Sequence, residues 1–213
     1  MTDRDYPPLS PSLRADVVRH HGRYSASLLL RTALRERTFR PVLTMRLCQA
    51  AASRRRTALP LLAVLHRWAC VRAGMDLPWR TRTGPGFRIF HGWAAVVNTR
   101  AEIGANVSLF HGVTLGQGDR IDAEGGRSTG YPVIEDEVWI GPGAAVLGGV
   151  RVGRGSRIAA NTVVIRDVPP ASLVAGNPAQ IVRADVPPDV LNRADVVYSF
   201  TTSEHRLGVT GPV

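Results

Sequence analysis

The 213-residue sequence has no lysine, so its formal charge of +10 comes from 27 arginines set against 17 acidic residues. Arginine-only usage most simply reflects genome composition; the sharper alternative is a surface for an anionic ligand or a membrane. Nucleic acid is not an expected partner, because no stacking-aromatic array or binding motif accompanies the arginines. Cysteine is almost missing: Cys48 and Cys70 make no disulfide framework. The N-terminal MTDRDYPPLSPS is polar and proline-rich and has no signal-peptide core, so a cytoplasmic location is expected. Long apolar runs are absent too. The longest, Ala58 to Val71, is broken by His66 and Arg67 and is too short to span a bilayer, so it is expected to be a packed helix. Aromatics make up 6% of the chain, yet 44% hydrophobic content is enough for a substantial core.

What is present falls into two textures. Residues 1–12 have a turn-forming composition and are expected as a flexible lead-in. From Leu13 to Gly74 apolar residues recur at helical spacing, as in Leu30, Ala33 and Leu34 or Leu61, Leu65, Trp68 and Ala69, which predicts three or four short helices. Pro41 and Pro60 suit helix starts and Gly74 a helix stop. Arg31, Arg35, Arg37, Arg40, Arg46, Arg54, Arg55 and Arg56 are expected on the outer face of this helical region.

After Met75 the composition turns to Gly, Pro, Val, Ile and Asn, and an aliphatic residue returns every sixth position. Ile134, Ile140, Val146, Val152, Ile158 and Val164 form one such series and Val97, Ile103, Leu109 and Leu115 another. A period of six fits neither a helix nor a half-buried strand; it fits a parallel β solenoid in which each repeat is one flat side plus a corner. The expected fold class is therefore α+β, a helical region (13–74) followed by a hexapeptide-repeat solenoid (75–183). Between Gly116 and Tyr131 the rhythm lapses in QGDRIDAEGGRST, which must leave the coil as one protruding loop, a usual place for ligand contacts. Pro169 and Pro170 end the ladder, SLVAGNPAQIVR closes it, and the tail 184–213 has only weak periodicity, with a strand, a short helix around Val190 to Phe200, or disorder all open. Small residues at Ala144, Ala145, Ala159 and Ala160 are expected to face outward and let another subunit approach.

The segments GPGFRIFHGWAAVVNTRAEIGANVSLFHGVTLGQG and YPVIEDEVWIGPGAAVLGGVRVGRGSRIAANTVVIRDVPPASLVAGNPAQIVR resemble the serine acetyltransferase family of hexapeptide-repeat acyltransferases over about residues 74 to 183. FRPVLTMR and FRIFHGWAAVVN look closest to the branch that includes the colanic acid biosynthesis acetyltransferases. The resemblance implies a left-handed parallel β-helix, against the usual right-handed crossover. It also implies acetyl-coenzyme A as cosubstrate and a homotrimer, paired in some members into hexamers through a helical region that is shorter here. Carried over residue by residue, it implies His91 as catalytic base, Asp76 as the carboxylate that orients it, and coenzyme contacts at Pro142, Gly143, Ala160, Arg157 and Arg183. His111 and Tyr131 are expected to contact the acceptor. The serine-specific enzymes carry an Arg-His pair where this chain has Gly130-Tyr131, so the guanidinium that would hold an acceptor carboxylate is missing there, with Arg127 as a possible substitute. The C-terminal TGPV also lacks the isoleucine used to dock on cysteine synthase, which argues against that partnership.

Acetyl transfer from a thioester to a hydroxyl needs a base, because an alcohol is a poor nucleophile at neutral pH. His91 would take the proton, Asp76 would fix its tautomer, and a backbone N–H would stabilise the oxyanion. The expected function is O-acetylation of a hydroxyl on a sugar, glycan precursor or small metabolite, with L-serine as the alternative acceptor. Two remote classes remain. A zinc site of the solenoid carbonic anhydrase kind would need a third histidine beside His91 and His111, but His20, His21 and His66 lie in the helical part and His205 in the tail, so no metal is expected. A noncatalytic scaffold is disfavoured by the presence of Asp76 and His91.

Overall fold

The computed structural model describes residues 6–54, 57–121 and 123–196; Arg55, Arg56, His205 and the tail beyond 196 lie outside the described residues. Four helices come first: α1 (Leu9–His21), α2 (Ala26–Arg35), α3 (Phe39–Ser53) and α4 (Leu59–Ala73). Ser25 caps α2 by accepting the Leu28 amide, and Pro60 sits in the first turn of α4. Gly22 and Gly74 close α1 and α4 in the left-handed conformation, which a side chain would disfavour. Helix α1 starts within the stretch expected as a flexible lead-in, and Ser12 is buried there with its hydroxyl on the Pro8 carbonyl.

The solenoid that follows is a left-handed parallel β-helix, the fold class expected from the repeat. Its three faces are parallel sheets whose inward residues are the sixfold series. Ile103, Ile134 and Val152 stack on one face, Leu109, Ile140 and Ile158 on the second, and Leu115, Val146 and Val164 on the third. All of them are fully buried, each side chain contributing about 1.5–3 kcal/mol of burial. The protruding segment is more regular than a loop: Gly118–Ile121 and Arg127–Gly130 pair as an antiparallel hairpin. Leu173–Ala175 and Gln180–Arg183 form a second antiparallel pair that ends the second face. Ala144 departs from expectation. It is fully buried, because the residue just after each tight corner points into the core, as Val113 does one coil earlier. Ala145 and Ala159 are half-exposed and Ala160 is exposed, as expected.

A β solenoid leaves the N–H and C=O groups of its first coil without a neighbouring coil. Here buried side chains of the helical region serve them. Asp16 accepts the amides of Gly86 (2.8 Å) and Phe87 (3.0 Å), while Arg46 donates to the carbonyls of Thr83 and Gly84 (both 2.6 Å). The two side chains are also paired with each other, Arg46 Nε to Asp16 Oδ2 at 3.0 Å. Gln49 donates to the carbonyls of Trp79 (3.1 Å) and Thr81 (3.0 Å), and Arg19 to that of Gly86 (3.1 Å). Burial pushes the Asp16 carboxyl up, and Arg46 and the two amides pull it back. Arg46 is thus a buried cap of the solenoid, not an outer-face residue. Arg37 and Arg40 likewise turn inward to backbone carbonyls, of Ala73 and His91 and of Ala33 and Leu34.

Residues 184–196 form neither strand nor helix, yet they are pinned along one solenoid corner. The Val186 amide donates to Ala171, and the Asn106 side chain pairs with both backbone groups of Ala194 (3.0 Å each). Arg157 meets Asp189 at 2.6 Å, Arg193 meets Glu137 at 2.5 Å, and Arg19 donates to the Leu191 carbonyl at 2.7 Å.

Two outcomes follow for stability. Asp16→Ala leaves the buried Arg46 charge without its counter-ion and the Gly86 and Phe87 amides unpaired, and should cost about 3–5 kcal/mol in chemical denaturation. His20, packed edge-on against Phe39, is held down to about 3 by burial and by the charge of Arg88. The fold keeps it neutral while the unfolded chain protonates, so its contribution is intact above about pH 6.5 and declines as pH falls toward 3. Urea melts at about pH 7, 5.5 and 4 should show a decline that His20→Phe makes shallower.

Candidate functional site

Half of the candidate site residues fall on one corner of the prism, namely His91, His111, Pro142, Gly143 and Ala160. The Gly143 amide donates to the His111 carbonyl (2.9 Å) and the Asn161 amide to that of Pro142 (2.8 Å), so His111, Pro142 and Ala160 form one column, a coil apart. Gly143 takes a left-handed φ of 69° at this corner, where Asn161 stands one coil on with a φ of 57°. Pro142 is half-buried, and Gly143 and Ala160 are exposed, so the edge offers backbone and small side chains. Such an edge suits a thin, flexible ligand arm lying along it.

His91 stands at the head of this column because its corner is longer than the others. Ile89 pairs with Leu109 and Val97 with Leu115, so eight positions separate the inward residues of the first coil where six separate those of the next. The two extra residues bulge the corner, and His91 (φ 64°) and Gly92 (φ 60°) turn it in left-handed conformations. His91 and His111 are exposed, with ring centroids 6.2 Å apart and planes at 71°. The helical region braces the bulge: Arg37 donates to the His91 carbonyl and lays its guanidinium 3.9 Å over the Trp93 ring. Sequence reasoning missed Arg37, whose only signal was to be one arginine among many. It could have found the bulge, since Ile89 lies off the sixfold count from Val97.

Asp76 lies one row beyond Val96 on the outside of the third face, where its amide donates to Ala95 (2.8 Å) and its carbonyl accepts from Val97 (2.9 Å). Its carboxylate is exposed and forms no hydrogen bond with His91; it opens instead onto a cavity against α4. Tyr131 is held from behind, its hydroxyl accepting from Arg100 at 3.0 Å. Arg127, on the hairpin, is paired with Asp119 at 3.0 Å. Arg157 leans toward Trp139 (5.6 Å) and is tied to Asp189, and Arg183 is exposed on the closing strand beside Leu173. Both stand off the His91 corner. Among the described residues no three His, Cys, Asp or Glu side chains form a metal-binding group.

Residues 131–166 match the model for the bacterial transferase hexapeptide (six repeats). The serine acetyltransferase of Mycobacterium tuberculosis strain H37Rv is 41% identical over 104 residues, 48% of this chain and 43% of that protein. The solved serine acetyltransferase of Brucella abortus in complex with coenzyme A superimposes with a TM-score of 0.66 at 31% identity, covering 83% of this chain and 68% of its own. That of Neisseria gonorrhoeae in complex with serine gives 0.66 at 31%, covering 82% and 69%. The chain belongs to the serine acetyltransferase family. It nevertheless spans only about half the length of the curated relatives it matches. In this member the enlarged corner has little room. A Cβ on Gly92 would lie 2.5 Å from Met75 Cε and 2.9 Å from Thr38 Cγ2. Gly92→Ala should therefore lower stability by about 1–3 kcal/mol, read from thermal melts, and move the His91 ring, read from its NMR shifts.

Proposed function

We propose that this chain is an acetyl-coenzyme A dependent O-acetyltransferase whose acceptor is a small hydroxyl compound, L-serine first among them. The observation that carries this is His91, an exposed imidazole on a bulged corner at the head of a small-residue edge, in a fold shared with proteins solved with coenzyme A and with serine. The sequence alone favoured a sugar or glycan hydroxyl and the colanic acid branch. The relatives are serine acetyltransferases, which supports the other acceptor. One observation keeps the sugar acceptor as a second reading: Gly130-Tyr131 brings no guanidinium, and Arg127 is already neutralised by Asp119.

The chemistry assigned to the chain's own groups is limited and definite. The acetyl thioester supplies the acyl group, and Pro142, Gly143 and Ala160 form the edge along which its carrier would lie. His91 takes the acceptor's proton as the hydroxyl attacks, then returns it to the departing thiolate. His111 narrows the corner from below, its ring centroid 6.2 Å from that of His91. Arg157 and Arg183 offer charge to the carrier's phosphates once Asp189 yields. The assembly is a homotrimer: Leu61, Val64, Leu65, Trp68 and Val71 form an exposed apolar row on α4, and Trp93 and Val96 continue it toward the His91 corner.

His91→Ala should lower kcat about 10²- to 10⁴-fold, followed as thiol release from acetyl-coenzyme A with L-serine and, in parallel, with UDP-N-acetylglucosamine and a mixed oligosaccharide pool. Near-full activity in that variant would remove His91 from the chemistry, and turnover of the sugars alone would move the acceptor to the second reading.

A further inference from the structure

The apolar row of α4 serves the subunit contact, but α2 is turned outward in a way that contact does not explain. Its one buried residue is a threonine: Thr32 donates its hydroxyl to the Leu28 carbonyl at 2.6 Å and meets His21 Nε2 at 2.7 Å. Ser25 caps one end of the helix, and Arg40 holds the other by donating to the Ala33 and Leu34 carbonyls. Polar contacts thus fix α2 on its inner side and at its ends. None of its four leucines is buried, and two are largely exposed, Leu30 at 61% and Leu34 at 65%. A surface helix ordinarily does the reverse and lays its apolar stripe on the core.

The charges around this face are of one sign. Leu30 and Leu34 stand one turn apart, and Arg31 and Arg35 follow each of them by one position, so the guanidiniums flank the apolar pair. Both arginines, and Arg23 before the helix, are exposed and form no hydrogen bond or ion pair among the described residues. From Leu9 to Arg35 the single acidic residue is Asp16, which is buried against Arg46; the charge of Glu36, just past the helix, acts on Arg88. Residues 1–74 hold 14 arginines and four acidic residues, whereas 75–213 hold 13 of each, so the net positive charge belongs to the region that carries α2.

The sign of these charges selects the occupant. A second copy would bring matching leucines but also matching arginines, with no exposed carboxylate on α1 or α2 to offset them. An anionic bilayer offers hydrocarbon to the leucines and phosphates to the guanidiniums, layered as the stripe and its flank are. Among the described residues no helix is long and apolar enough to cross a membrane, so the contact is with the surface. We infer that α2 docks this protein on an anionic lipid surface, with Leu30 and Leu34 at the acyl boundary and Arg23, Arg31 and Arg35 on the headgroup phosphates. The docking is peripheral and reversible, and it draws on neither His91 nor the acetyl-transfer reading.

The test is co-sedimentation of the full chain with phosphatidylcholine vesicles, with and without about one third phosphatidylglycerol, at low and high salt. The parent protein should bind the anionic vesicles, bind the neutral ones weakly, and come off as salt rises. Arg31→Gln with Arg35→Gln should weaken partitioning about 30-fold, at about 5-fold per guanidinium. Leu30→Ser with Leu34→Ser should weaken it at least about 10-fold. All four side chains are exposed, so thermal melts should match the parent's. No binding of the parent to anionic vesicles, or binding that neither pair alters, would overturn the inference. Binding lost with the arginines but untouched by the leucine pair would reduce it to charge attraction and overturn the docked helix. A fall in solution mass on Leu30→Ser with Leu34→Ser, with no vesicle binding by the parent, would give this face to a second copy instead.

Discussion

The fold depends on one buried exchange, in which Asp16 and Arg46 take the place of a coil that does not exist. Parallel ladders are satisfied only by the next strand, and a solenoid must start somewhere. The helical region solves this with side chains that present a carboxylate to two amides and a guanidinium to two carbonyls. Each of the two charges would be costly alone in this position; together, and with the backbone between them, their partners are matched. Gln49 and Arg19 extend the same cap. The cap also sets where α1 and α3 lie, and hence where Arg37, just before α3, can brace the His91 corner.

The site follows from a departure in a regular lattice. Within the sixfold rhythm the corners below His91 are tight turns, and a side chain there projects as one more member of a column. Two extra residues between Ile89 and Val97 break that equivalence and lift His91 out of register while keeping it within 6.2 Å of His111. Regular corners give a smooth edge, and the irregular one gives a reactive group at its end.

How much of this could be read in the sequence depended on the range of the interaction. The inward series from Ile134 to Val164 was legible because each residue's burial is set by neighbours one coil away in a fixed count. His91, Pro142 and Ala160 were legible through motif resemblance, and the structure places them on one edge. Arg46 was misplaced because an arginine on a helix is expected to face water, while its partners are 30 to 38 positions distant and leave no local trace. Ala144 was misplaced for a subtler reason: spacing marks corners but not which corner residue points inward. Arg127 looked available until the hairpin put Asp119 across from it.

The strap formed by residues 184–196 ties the helical region to the segment beyond the solenoid, most directly where Arg19 meets the Leu191 carbonyl, 172 positions away. That bond sets an order of events. While the polypeptide is being made, the helical cap can form and successive coils can stack on it, each on contacts only a coil away. The corner seam from Gly86 to Ala171 stays open until residues 184–196 emerge and lie down along it. The helical cap is thus made before the coils it serves and is fully bonded only after them, so the solenoid is locked from its C-terminal side.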